Sequence, residues 1–173
     1  MKGKDGYIRF GFLTGVTKIG KMSVFSDLNN LTDISLDKEY SDICGVSETD
    51  LKAYFTESVK ELAEANELTE EECRKKLAQM YDGYHFHQKA IGVYNPFSLL
   101  NTFKVKEFRE YWFETGTPSF LVKVMKSTSY DITSLSEQEA DSSLLTDLDT
   151  VFLNPVPLLY QSGYLTIKGY DED

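Results

Sequence analysis

At 173 residues, with 41% hydrophobic, 13% aromatic and 27% charged side chains, the chain is long enough to bury a core and too apolar for a disordered protein. No apolar run approaches the roughly 20 residues of a membrane helix, and MKGKDGYIRF lacks a signal-peptide core, so a cytoplasmic protein with no membrane span is expected. The net charge of −10 argues against a nucleic-acid partner held by overall charge, although a basic head (Lys2, Lys4, Arg9, Lys18, Lys21) contrasts with an acidic tail.

Residues 7–14, YIRFGFLT, are β-branched and aromatic on both faces, which predicts a strand buried on both sides. The rest of the chain offers that strand no partner. Residues 16–46 are rich in Asp, Asn, Ser and Thr and show no sustained period. Ser47 opens a predicted helix, SETDLKAYFTESVKELAEAN, whose Leu51, Tyr54, Phe55, Val59 and Leu62 recur at helical spacing. Thr69 and Glu72 form a capping box before ECRKKLAQMY. Asn95–Pro96 and Thr117–Pro118 each set a capping residue before a proline, predicting helices FSLLNTF and SFLVKVMK. Between these, residues 81–95 read as a β-hairpin, two aromatic strands around a polar turn near Gln88–Ala90. Residues 128–150 read as an acidic loop with at most a short helix. The final stretch, a capped helical turn, a break at Gly163 and a predicted strand YLTIK, resembles the end of a winged-helix unit.

The sharpest chemical pattern is Gly15-Val-Thr-Lys-Ile-Gly20-Lys21-Met22, a near match to the phosphate-cradling G-x-x-x-x-G-K-[ST] loop. Met22 stands where a hydroxyl would bind magnesium, and a thioether is a poor ligand for that hard ion. The following SVFSDLNN has weak helical propensity, so chance resemblance is the favoured reading. His85 and His87 fall on one side of the predicted strand and, with Asp82, suggest a metal, but a third strong ligand is missing, so surface imidazoles are preferred. Cys44 and Cys73 form no CxxC and have no base partner; Cys73, inside a helix, reads as a buried inert thiol. The aromatic belt Tyr81, Tyr84, Phe86, Tyr94, Phe97, Tyr111, Trp112 and Phe113 lacks the clustered cations of a base-stacking surface and reads as core. Glu114-Thr-Gly-Thr-Pro is explained by helix capping alone.

Four longer strings, FLTGVTKIGKMSVFSDLNNLTDIS, YDGYHF, VYNPFSLLN and YWFETGTPSFLV, stand in this order across residues 8–125, with LLYQSGYLTI a weaker fifth. In this the chain resembles the bacterial predicted AAA-ATPase (AAA-ATPase-like) family. The resemblance implies a P-loop and a Walker B strand upstream of the FLTG string, and often a nuclease-like domain downstream. Neither P-loop nor Walker B motif is found here, which implies an internal piece of a longer ATPase. On the same resemblance, Thr14 would face the γ-phosphate as a sensor and Lys18 would supply a cation to it, as phosphoryl transfer requires. Strand capping explains Thr14 equally well. Gly15, Gly20 and Lys21 are the remaining nucleotide-binding candidates.

The expected fold is therefore α+β and mostly helical: one N-terminal sensor-type strand, a helical lid with a small β-hairpin, and a winged-helix-like end. Residues 1–46 would be a remnant of the ATPase core and 47–173 the lid. The expected function is a fragment of a nucleotide-binding ATPase, inactive in isolation, with ATP and Mg²⁺ belonging to the intact protein and no metal site of its own. The alternative is a protein-interaction module, or more remotely a winged-helix DNA binder. Self-association through the N-terminal strand region is the expected contact between copies.

Overall fold

A computed structural model describes residues 7–15, 32–112, 123, 126, 139–141, 145 and 154–170. The chain divides into two units, residues 1–33 with 119–165, and residues 34–118 with 166–173.

The described part of the second unit includes α1 (Glu48–Tyr54), α2 (Thr56–Ala65), α3 (Glu70–Tyr81) and α4 (Pro96–Val105), after a 3-10 turn at Lys38–Tyr40. Their starts follow from side-chain chemistry. Ser47 Oγ accepts from the Asp50 N–H at 3.1 Å while the Asp50 carboxylate accepts from the Ser47 N–H at 3.0 Å. Thr69 and Glu72 repeat the exchange at 3.2 and 2.9 Å. At α4 the Asn95 side-chain oxygen accepts from the Ser98 N–H at 2.9 Å, and Pro96 fills a first-turn position whose N–H would lack a partner. Each such N-cap is worth about 1 kcal/mol.

The continuous helix expected from Ser47 onward is two helices. Phe55 leaves helical geometry (φ −119°, ψ 15°), and the Thr56 hydroxyl donates to the Lys52 carbonyl at 2.8 Å. The Phe55 ring stacks on Phe103 of α4 with centroids 5.5 Å apart. Leu51, Val59, Leu62, Ala63, Cys73, Leu77, Tyr81, Tyr94 and Leu99 form one buried cluster. At about 1.5–3 kcal/mol for each large apolar side chain removed from water, this cluster outweighs the caps as the source of stability. The far ends of α2 and α4 are tied by one side chain: Asn66 Nδ2 donates to the Leu62 carbonyl at 2.8 Å and to the Lys106 carbonyl at 3.0 Å. Lys106 takes the left-handed conformation (φ 60°), which costs a non-glycine residue about 1 kcal/mol, and its ammonium meets Glu61 at 3.0 Å.

In the first unit, α5 (Val156–Gln161) buries Val156, Pro157, Leu158, Leu159 and Tyr160. Asn154 accepts from the Val156 N–H at 3.0 Å, while the N-cap position itself is Pro155, which makes no side-chain cap. Gly163 (φ 79°) ends the helix, and the Leu159 carbonyl accepts from the Tyr164 and Leu165 N–H groups.

The α+β expectation is overturned, because the described residues are helical and hold no strand. Residues 7–15, the expected sensor strand, are irregular and exposed on both faces; no other described segment pairs with them, and a strand needs a neighbour to take its backbone hydrogen bonds. The expected hairpin at 81–95 reduces to one antiparallel pair, Tyr84 with Val93, beside a second pair, Val46 with Tyr94. The Asn95 N–H still reaches the Tyr81 carbonyl at 2.8 Å across the segment, but the His85 N–H is taken by Thr166 Oγ1 at 2.6 Å, outside it. YLTIK is also not a strand, so the winged-helix-like end falls with it. The predicted helix SFLVKVMK and the acidic loop lie outside the described residues, apart from exposed helical Lys123 and Lys126, residues 139–141 and Leu145.

Candidate functional site

The strings YDGYHF and VYNPFSLLN meet in the second unit, where residues 81–95 leave α3, turn and enter α4. Asp82 accepts from the Gly83 N–H at 2.7 Å, and Gly83 sits at φ 104°, a conformation that glycine adopts without strain. The chain reverses at His87–Ala90, where the Ala90 N–H donates to the His87 carbonyl at 3.0 Å. The predicted polar turn is therefore in place although its strands are not. Tyr84 and Phe86 pack edge to face with centroids 4.8 Å apart.

Tyr94 is the polar centre of this region. It is buried, and its hydroxyl donates to the Glu48 carboxylate at 2.7 Å, joining the entry to α4 with the start of α1. Burial, and next the hydrogen bond to Glu48, push its phenol well above the usual tyrosine range, so it stays a neutral donor. Glu48 is shared with Lys52 at 3.3 Å. Arg74 of α3 acts electrostatically on the same hydroxyl; its Nη1 is sealed from solvent and has no hydrogen-bond partner. The sequence reading missed Arg74 and Glu48. Neither carries a local signal, since their meeting depends on how the helices pack.

The residues singled out earlier are not brought together. Thr14 and Gly15 lie in the exposed irregular stretch 7–15, without the strand that was to carry Thr14. Lys18, Gly20 and Lys21 lie outside the described residues, as do Glu114–Pro118. The His85 ring nitrogen Nδ1 faces the Gly83 carbonyl at 3.0 Å, and His87 Nδ1 accepts from the Lys89 N–H at 3.0 Å, so each imidazole has a role in its own turn. Among the described residues no group of three or more His, Cys, Asp or Glu side chains is arranged to hold a metal ion. Cys73 is buried, its Sγ 3.6 Å from the Val59 carbonyl, and burial pushes its thiol up; Cys44 is exposed. Of the aromatic belt, Tyr81, Tyr94 and Tyr111 are buried, Tyr84, Phe86 and Trp112 half-buried and Phe97 exposed, while Phe113 lies outside the described residues.

No protein-family model matches the chain, and no solved structure matches it. The chain is similar to an "uncharacterized protein in vnfD 5′ region" of Azotobacter chroococcum mcd 1, at 41% identity over 167 residues, or 96% of this chain. It spans 30% of that relative's length. No helix among the described residues is long and apolar enough to cross a membrane.

Proposed function

We propose that the chain is a helical, lid-like part of a longer, cytoplasmic nucleotide-binding ATPase and has no catalysis of its own. The observation that carries this reading is the succession of four uncommon strings in one order along the chain. The geometry supports a framework role for two of them. Tyr81, Asp82, Tyr94 and Asn95 all spend polar atoms on hydrogen bonds inside the helical unit. The 30% coverage of a longer relative supports a part of a larger protein. ATP and Mg²⁺ then belong to that protein, which would supply the phosphate-cradling backbone and the magnesium ligands. The test pairs titration of the 173-residue chain with Mg-ATP and ATP turnover by the longest chain encoded in the same reading frame. Turnover by the longer chain without micromolar binding by the shorter is expected. Micromolar binding by the short chain would instead assign Gly15–Lys21 as a P-loop, and an inert longer chain would overturn the ATPase reading.

A second reading, an interaction module, is favoured by one observation: Tyr7 and Phe10 are 89% and 83% exposed, with Ile8, Phe12 and Leu13 about half exposed beside them. Such a run of large apolar side chains is costly to leave in water. On this reading copies associate through residues 7–13, and light scattering should show a concentration-dependent mass that Phe10→Ser abolishes. A monomer at all concentrations would count against it.

A further inference from the structure

We draw no further inference here: the strongest candidate, the solvent-sealed Arg74 Nη1 on α3 beside the Tyr94–Glu48 hydrogen bond, carries nothing because no external anion can reach it and the nearby carboxylates of Glu48 and Asp82 already supply negative charge to that side-chain cluster.

Discussion

Tyr81 Oη donates to the Arg109 carbonyl at 2.8 Å and accepts from the Arg109 N–H at 3.1 Å, so one phenol satisfies both backbone groups of a residue 28 positions away. The bond fixes the segment after α4 against the end of α3. Phe108, next to Arg109, packs on the core and lies under the Lys76 ammonium, 4.4 Å from the ring centroid.

Tyr81→Phe keeps the buried ring and removes only the hydroxyl. The loss should be about 1–3 kcal/mol, because two partly buried backbone groups lose their partner. A lower urea midpoint and faster exchange of the Arg109 amide are the expected readings. An unchanged exchange rate would show that the bond does not hold this segment.

Gly45 is required by close approach. A Cβ at this position would lie 2.3 Å from Val93 Cγ2 and 2.4 Å from Val93 Cβ, and Val93 is itself buried. Gly45→Ala should therefore destabilise by about 1–3 kcal/mol through overpacking. Adding Val93→Gly, which removes both offending atoms, should recover part of that loss relative to the sum of the single changes, giving a non-additive pair in thermal melts. Strict additivity would refute the steric account.

Stability should fall at both ends of the pH scale for separate reasons. The hydroxyl of Ser47 holds Asp50 below its ordinary 3.8, and the Thr69 N–H holds Glu72 below its ordinary 4.5. Both carboxylates bind fewer protons folded than unfolded, so their contribution is complete above those ordinary values and is lost as the pH falls through the depressed ones. The Tyr94 phenol is raised from 10.0, so its contribution is complete below pH 10 and lost as the pH rises beyond it. Melting temperature measured across pH should show an acid limb flattened by Asp50→Asn with Glu72→Gln, and an alkaline limb flattened by Tyr94→Phe. Limbs that these variants leave unchanged would assign the pH dependence to other groups.

What was legible in the sequence is the chemistry that acts over three or four residues. Thr69 with Glu72, Ser47 ahead of its helix, Asn95 before Pro96, and Gly163 after α5 all sit where local hydrogen bonding demands them. The break at Phe55 was not legible: the residue fits the helical spacing, and the ring it stacks on belongs to α4, far away in sequence. Residues 7–14 and 81–95 misled for the opposite reason. Aromatic and β-branched residues announce that a segment suits a sheet, but a sheet forms only where another chain segment offers its backbone. At 81–95 Thr166 takes the His85 donor, and the pairing between the two halves stops at the isolated Tyr84–Val93 bridge. The candidate site was least legible of all. Arg74, Tyr94 and Glu48 come from three separate elements, and no spacing rule links them.

The Tyr94–Glu48 bond spans 46 residues, and α1, α2 and α3 lie almost wholly between its ends. α1 and α3 carry side-chain caps and α2 does not, so the three hold chiefly through the core they share, and joining the two ends closes the whole intervening loop around it. Breaking the Tyr94–Glu48 bond should therefore loosen α1, α2 and α3 together rather than one at a time, read as a shared fall in their amide-exchange protection in Tyr94→Phe.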